Sequence, residues 1–220
     1  MRRDVVTSLI AVVLFTVLLG IVYPLLITGV GQVAFPGNAN GQKVFLDGKL
    51  VGSKIIGQSF RRPVLEQNGK PKEEEGELVT EADPRYFQSR PSATEGGADN
   101  AAASTFSNRG PNDRATEEAD AANAKEYLEL NKPYDPGLTT ARIPVDAVNT
   151  SASNLDPEIS PANAWIQAHR VAAKRGFSLA TVRGLIAKYT DSRGLGFSGD
   201  PGVDVLELNL ALDRLGPGAG

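Results

Sequence analysis

The longest apolar stretch of the chain runs from Val5 to Ile27, and no charged side chain occurs between Asp4 and Lys43. At about 1.5 Å per residue, a helix over Val5–Ile27 is about 35 Å long, enough to cross a hydrocarbon core of about 30 Å. A single segment can cross lipid only as a helix, because every backbone polar group must be hydrogen-bonded internally. The pattern therefore predicts one membrane-spanning helix.

The alternative for this stretch is a cleaved secretory signal, because Arg2 and Arg3 form a basic segment directly before it. However, the apolar run is longer than the ~7–15 residues usual in a signal, and it continues past Tyr23 and Pro24. No good small-x-small cleavage site follows, and Tyr23 suits an aromatic anchor at the membrane interface. We therefore interpret residues 1–35 as a short cytoplasmic N-terminus with an uncleaved anchor.

Basic residues flank the span asymmetrically. Arg2 and Arg3 precede it, and the first basic residue after it is Lys43. Because cytoplasmic flanks carry the excess of Lys and Arg, the N-terminus is expected in the cytoplasm and residues beyond about 35 on the other side. The sequence thus predicts a single-pass membrane protein whose main domain is extracytoplasmic.

Residues 36–220 have a length suited to one extramembrane domain. The pair Asp47-Gly48 lies between two short apolar runs, which predicts a type I′ hairpin of strands Lys43–Leu46 and Lys49–Ile56. Residues 61–84 carry few apolar side chains. This composition predicts a solvated surface insertion with little regular structure.

Helical periodicity and capping residues predict four helices in this domain. Ser160 and Ser178 are expected N-caps and Gly176 is a C-terminal stop, which bounds two of the helices. The last helix is ambiguous, since its leucines also alternate as in a strand, but the stop at Gly216-Pro217 favours a helix. The predicted fold is α+β: one N-terminal transmembrane helix followed by a single mixed α/β extramembrane domain. The helices are expected at about Ala115–Leu130, at Pro161–Arg175, from Leu179 and from about Leu206, with short strands at Pro144–Val148 and Val203–Val205.

The helix after Ser160 shows two contrasting faces. Its small and aliphatic residues, with Trp165 beside them, predict a face buried in the core. Its polar residues fall at i, i+4, i+7 and i+11, which predicts a single solvated stripe. The stripe consists of Asn163, Gln167, Arg170 and Lys174.

Composition narrows the possible functions. The net charge is −3 and no basic patch is visible, so nucleic-acid binding is not expected. The chain holds no cysteine and one histidine, His169, which leaves few ligands for a transition metal. It contains no P-loop, no His-Glu-x-x-His pair and no Gly-x-Ser-x-Gly elbow. We therefore expect no catalytic residue, no metal site and no cofactor of its own.

Several short segments form an ordered set along the chain: Val22–Leu25, Gly52–Phe60, Tyr86–Ser92, Ser107-Asn108, Thr150–Pro157, Gln167 with Arg170–Ala172, and Val205–Asp213. Each is weak alone, but together they resemble the C subunit of the Kdp-type potassium-transporting P-type ATPase, the KdpC family. One departure is Asn154, where the family usually has Gly. After Gly, Asn best tolerates a left-handed conformation, so the turn can survive the change.

The resemblance implies a non-catalytic accessory subunit of a high-affinity, ATP-driven potassium uptake complex in a bacterial cell membrane, needed for assembly and activity. Its partners would be a channel-like potassium-selective subunit, an ATP-hydrolysing P-type subunit, a small fourth subunit and membrane lipid. The family's C subunit is described as a catalytic chaperone that raises the ATP affinity of the hydrolysing subunit. ATP shared with that subunit is the cofactor that the resemblance suggests.

Candidate site residues also follow from the resemblance. Gln167 is the best match to a glutamine that is linked to nucleotide in this family, although a solvated helix face explains its position equally well. The candidates for contacts with other subunits from the matching segments are Tyr86, Phe87, Arg90, Ser107, Asn108 and Arg170. On the span the candidates are Gly20, Tyr23 and Pro24, because a proline kinks the helix and a small residue permits close approach of a neighbouring helix.

The predicted orientation conflicts with direct binding of cytoplasmic ATP by this domain. We give the charge asymmetry of the span more weight, so any effect on ATP would have to pass through the membrane helices. The alternative left open is a membrane-anchored extracytoplasmic binding module unrelated to transport.

Overall fold

The structure, a computed structural model, describes residues 1–74, 76–94, 100–104, 109–110 and 112–216, with the side chain of Glu77 excepted. The chain divides into two compact units, Met1–Ser53 and Lys54–Gly220. A long apolar N-terminal helix is followed by helices and small antiparallel sheets. This arrangement confirms the predicted α+β class.

The N-terminal unit begins with one continuous helix that contains α1 (Arg2–Val17), a π-helical turn (Leu18–Val22) and α2 (Tyr23–Ala34). Within the described part of the chain, this is the one helix long and apolar enough to cross a membrane. The π turn lies directly before Pro24, whose nitrogen has no proton to donate to the preceding turn. Because the helix widens by one residue there, the proline ring fits without breaking the helix.

The hairpin predicted at Asp47-Gly48 is present. Asp47 has a φ of 49° and Gly48 a φ of 77°, the two positive values that a type I′ turn requires. The second strand ends at Ser53, before the predicted Ile56, and the Ser53 hydroxyl donates to Gly41 O over 2.7 Å. The elements are α3 (Pro36–Ala39), β1 (Lys43–Leu46) and β2 (Lys49–Ser53), with the two strands antiparallel.

Residues 61–74 and 76–84 contain two pairs of short antiparallel strands that form a β-ribbon, so the prediction of little regular structure was wrong. Backbone pairing does not require apolar side chains, and here polar cross-strand contacts support it: Arg62 and its partner Glu81 form an ion pair of 2.7 Å. Arg61 Nη1 lies 2.8 Å from Glu126 Oε1, which ties the ribbon to the helix α4 (Arg114–Asn131). The ribbon contains β3 (Arg61–Pro63), β4 (Glu73–Glu74), β5 (Glu77–Leu78) and β6 (Thr80–Ala82), paired β3 with β6 and β4 with β5.

The four predicted helices of this unit are present, with the expected caps. The Ser160 and Ser178 hydroxyls accept hydrogen bonds from backbone N–H groups three residues on, at 3.1 and 3.0 Å. Gly176 has a φ of 71°, the left-handed conformation that ends a helix at glycine. The ambiguous C-terminal segment is a helix after a short strand. Besides α4, the helices are α5 (Pro161–Arg175), α6 (Leu179–Lys188) and α7 (Val205–Leu215).

Pro144–Val148 is not a strand, and that prediction was wrong. Val145–Ala147 forms a 3-10 turn in which Ala147 N–H donates to Pro144 O over 3.0 Å. Pro144 has no N–H for a neighbouring strand, and its restricted φ suits the start of such a turn. Two further 3-10 turns lie at Ala101–Ala103 and Thr140–Arg142.

The main hydrophobic core lies between the last three helices and a small antiparallel sheet of β7 (Glu158–Ile159), β9 (Gly202–Asp204) and β8 (Thr190–Asp191), in that order. Val203 on the central strand is fully buried. Phe87, from the segment that follows the ribbon, is also fully buried in this core. The Phe87 side chain thus joins its segment to the last three helices, which lie far from it in sequence.

Trp165 was predicted beside the buried face of α5, but it is 41% exposed. Its ring lies under the guanidinium of Arg183, with 4.9 Å between Cζ and the ring centroid. The prediction for Trp165 was wrong because α5 turns part of its polar stripe, rather than Trp165, toward the interior.

Candidate functional site

The polar stripe of α5 points largely into the protein, so the prediction of a solvated face was wrong. Asn163, Gln167 and Arg170 are at most 1% exposed, and of the predicted stripe only Lys174 faces solvent. Gln167 and Arg170 lie against the segment Tyr86–Ser92, and Asn163 bonds to Gln167, Tyr127 and Asp146 beside it. Burial of these groups is tolerable because each forms hydrogen bonds there.

Two side-chain amides hold this segment by the same two-point contact. Gln167 Oε1 accepts from Gln88 N–H over 2.8 Å, and its Nε2 donates to Gln88 O over 3.0 Å. Asn209 of α7 makes the same contact with Phe87, the residue before Gln88. Its Oδ1 accepts from Phe87 N–H and its Nδ2 donates to Phe87 O, both over 2.9 Å. Each amide thus satisfies the backbone of one residue as a paired strand would, and together they clamp the segment between α5 and α7.

Arg170 is a fully buried guanidinium at the start of the same segment. Its Nε donates to Pro84 O over 3.2 Å, and its Nη2 donates to Tyr86 O over 2.7 Å. Nη1 and Nη2 also donate to the side-chain oxygens of Asn131 and Gln167, over 2.8 and 2.9 Å. Burial lowers the pKa of Arg170 to about 10, so the group stays charged at neutral pH. All these hydrogen bonds go to carbonyl or amide oxygens.

The network continues into α4. The Tyr127 hydroxyl donates to Asn163 Oδ1 over 2.9 Å, and Asn131 Nδ2 donates to Tyr127 O over 2.9 Å. Burial raises the pKa of Tyr127, which keeps its hydroxyl a neutral donor. One connected set of polar groups therefore joins α4, α5 and the clamped segment.

Tyr86 lies at the outer edge of the clamped segment. Its ring stacks on Phe60, with 5.5 Å between centroids, and the Arg175 guanidinium lies 4.4 Å from its centroid. Arg175 also donates to Asp213 Oδ1 over 2.8 Å. The ring is therefore held between Phe60 and Arg175, and Asp213 fixes the position of Arg175.

Arg90 joins the other end of the segment to the loop before β7. Its Nη1 lies 2.8 Å from Asp156 Oδ2, and its Nη2 donates to Asn149 Oδ1 over 2.9 Å. Asn154 in that loop has a φ of 58°, the left-handed conformation predicted for it. Its Oδ1 accepts from Ala93 N–H over 3.0 Å, which ties down the residue after Ser92.

A cleft of about 360 Å³ opens beside the segment, between the ribbon and α4. Arg61 and Arg90 line it, but each is paired with a carboxylate, Glu126 or Asp156. The described residues contain no group of His, Cys, Asp and Glu that could hold a metal ion. The arrangement is therefore suited to fixing a surface in place rather than to binding an anion.

Comparison with known families agrees with the motif set over nearly the whole chain. A family model described as "KdpC: K+-transporting ATPase, c chain" matches residues 5–214. The chain belongs to the KdpC family. KdpC is a non-catalytic subunit of the Kdp potassium-transporting ATPase complex, so other Kdp subunits are its partners and the protein is membrane-associated. The alternative of a module unrelated to transport is therefore set aside.

Three relatives described as potassium-transporting ATPase KdpC subunits show how complete the match is. The protein of Methylococcus capsulatus is 44% identical over 94% of this chain and 96% of its own length. That of Koribacter versatilis is 42% identical over 99% and 97%, and that of Mycobacterium tuberculosis 45% identical over 98% and 100%. The similarity thus spans both the N-terminal helix and the domain that follows.

Three of the KdpC segments recognised in the sequence meet in the clamp. Tyr86–Ser92 lies between the part of α5 that begins at Gln167 and the part of α7 that holds Asn209. Both ends of the Gln167 amide are hydrogen-bonded inside the domain. A nucleotide contact at Gln167 stays a prediction, and it would require breaking these hydrogen bonds.

The remaining interface candidates also stay predictions. Phe87 and Arg170 are fully buried, so these two can act on a partner only through the surface they support, whereas Arg90 is partly exposed and ion-paired with Asp156. Tyr86 is partly exposed, as are the residues from Gln88 to Ser92. Gly20, Tyr23 and Pro24 lie on the apolar helix, while Ser107 and Asn108 fall outside the described residues.

Sequence reasoning missed Gln88 and Asn209, which take part in the two amide contacts, and Asn131, which accepts a hydrogen bond from Arg170. Asn209 carried a usable signal, because it is a single amide within the apolar run of α7 and is fully buried. A polar residue in such a run must find a partner inside the protein. The sequence does not identify that partner, since Phe87 lies 122 positions away.

Proposed function

We propose that this KdpC chain is a preorganised assembly subunit of a potassium uptake pump, required for the pump's assembly and activity. In this proposal its apolar helix and its domain bind the channel-like, the ATP-hydrolysing and the small fourth subunits. The observation that carries the proposal is the clamp, whose polar groups are committed to one another. A domain rigid before binding loses less conformational entropy when its partners bind.

The effect on ATP is proposed to be indirect. The hydrolysing subunit binds ATP, and KdpC raises its ATP affinity by favouring the assembled conformation that binds nucleotide more tightly. The hydrogen bonds of the Gln167 amide support this reading, because they leave the amide no free donor or acceptor geometry for a nucleotide. Such coupling needs only contacts between subunits.

The sidedness of the domain tests the indirect mechanism. Arg2 and Arg3 before the apolar helix support a cytoplasmic N-terminus and an extracytoplasmic domain. In sealed vesicles of known orientation, protease should digest the domain only from the extracytoplasmic side. A tag placed before Arg2 should be digested only from the cytoplasmic side. Digestion of the domain from the cytoplasmic side would contradict the proposal and permit direct contact with ATP.

Assembly through the apolar helix is tested with Pro24→Leu. Leucine restores the missing N–H, so the π turn before residue 24 should revert to α-helix and rotate the following residues by about 100° relative to α1. We expect normal membrane insertion but a several-fold lower yield of other Kdp subunits with the tagged protein in mild detergent. Leu25→Ile, which leaves the π turn intact, is the control and should retain the normal yield. Equal yields from both variants would contradict a docking role for this part of the helix.

A further inference from the structure

The loop between β8 and β9 exposes two large apolar side chains. Leu195 is 90% exposed and Phe197 is 76% exposed. They are the most exposed large apolar residues that the structure describes after Ser53. Two such side chains two positions apart at one loop tip differ from the scattered exposed aliphatic residues of an ordinary surface.

The backbone holds this tip in a defined shape. Gly194 N–H donates to Ser198 O over 2.8 Å, and Ser198 N–H donates back to Gly194 O over 2.9 Å. Inside this small closed loop, Leu195 has a φ of 53°, a conformation that is unfavourable for a branched side chain. The Leu195 side chain is not buried in the domain, so its packing does not offset this strain. Strain of this kind is often retained at functional sites.

The tip is rooted in the most buried part of the domain. β9 follows it directly and is the central strand of the sheet, with Val203 fully buried. A Cβ at Gly202 would overlap the Glu158 carboxyl group, so the base of the loop is closely packed. Asp204 N–H donates to Tyr189 O over 3.2 Å and closes the loop base. A rigid base means that the two side chains are already in position before any partner arrives.

The charges around the loop indicate what kind of partner fits. Arg193, its one cation, lies 3.1 Å from Asp200 and is thereby neutralised. Asp191 and the neighbouring Glu158 leave the base of the loop acidic, and burial together with Asp191 raises the pKa of Glu158. Outside the loop, Lys188 lies at the end of α6 over the Tyr189 ring, and Lys54, which interacts with Asp191, is itself paired with Glu207 over 2.7 Å. An acidic base disfavours an anionic lipid surface and favours a protein surface with basic residues.

We infer that Leu195 and Phe197 form an anchor that inserts into an apolar pocket, rimmed by Lys or Arg, on another subunit of the Kdp complex. The inference rests on the proposed assembly function and assigns it a specific contact. Two preformed apolar side chains have the character of a binding hot spot, because they bury area without further ordering. The partner's basic rim would lie against the Asp191 side of the loop.

The test is co-purification of the other Kdp subunits with the tagged full chain from mild detergent. The double variant Leu195→Ser/Phe197→Ser should retain about tenfold less of them than the unsubstituted chain. Leu65→Ser/Leu78→Ser, which changes two exposed leucines of the ribbon, is the matched control and should retain the normal amount. Equal retention by the two double variants would overturn the inference.

Further measurements separate the possible causes of a loss. The midpoint of thermal unfolding should be unchanged in the double variant; if it falls, Phe197→Ser alone must still lower retention at an unchanged midpoint, or the inference fails. If the double variant binds anionic vesicles less well than the unsubstituted full chain and yet retains the other subunits normally, that result would assign the tip to lipid and overturn the inference. If the unsubstituted chain itself retains no Kdp subunit, the proposed function fails before the anchor is tested.

Discussion

Arg170→Met is expected to lower the free energy of unfolding by about 3 kcal/mol, because the change leaves buried oxygen atoms without donors. Pro84 O, Asn131 Oδ1 and Tyr86 O each lose the hydrogen bond that Arg170 donates to them. Met fills similar volume, so the expected loss comes from polar groups rather than from a cavity. Relief of the buried charge offsets part of it, which keeps the estimate below the full sum of the orphaned groups.

Urea unfolding of the full chain in detergent measures this loss. Trp165, the single tryptophan, lies on α5 and reports on unfolding of the domain by fluorescence. Arg214→Met, an exposed position at the end of α7, is the control and should change stability by no more than about 0.5 kcal/mol. The stability of Arg170→Lys should lie between that of the unsubstituted chain and that of Arg170→Met, because an ammonium group cannot reach all four oxygens that the guanidinium contacts. An unchanged midpoint for Arg170→Met would contradict the structural role of the guanidinium.

Gln167→Met is expected to destabilise the domain by about 3 kcal/mol in the absence of any nucleotide. Met matches glutamine in length but leaves both Gln88 N–H and Gln88 O without the amide that pairs them. Each unsatisfied backbone group in a buried setting costs about 1–3 kcal/mol. A glutamine whose role is only to contact nucleotide would give the opposite result, a variant as stable as the unsubstituted chain.

The same unfolding measurement tests Gln167→Met, with Gln67→Met on the exposed ribbon as its control. The control should be neutral, because Gln67 lies at the surface. In the double variant Gln167→Met/Arg170→Met, the loss of stability should be smaller than the sum of the losses in the two single variants. The reason is that Arg170 Nη2 donates to Gln167 Oε1 in the same network. Full additivity would mean that the two side chains act independently, contrary to the clamp.

These two results bear directly on function. If both side chains stabilise the domain, the result supports the proposal that KdpC acts on ATP binding indirectly, through the assembly. The clamp also positions Tyr86, an interface candidate that is partly exposed. Its ring position depends on Arg175 and Phe60, which the core holds in place.

Local signals in the sequence determined much of the architecture. The apolar helix, the type I′ hairpin at Asp47-Gly48, the caps at Ser160 and Ser178 and the left-handed Asn154 were all predicted correctly. Each depends on residues within a few positions of one another, through hydrophobic length, turn geometry or a capping hydrogen bond. The ordered motifs also identified the family, because they required no knowledge of which segments touch.

Tertiary structure alone decided the polar interior and the exposed apolar tip. A polar stripe on a helix is buried or solvated depending on what packs against it, and the partners of Gln167 lie 79 positions away. Residues 61–84 pair with themselves through backbone groups that carry no sequence signature, so composition suggested a loop. Leu195 and Phe197 were not singled out in the sequence, because an apolar residue indicates burial unless the fold places it at a tip. In each case the deciding interaction is non-local, and only the folded chain brings its two sides together.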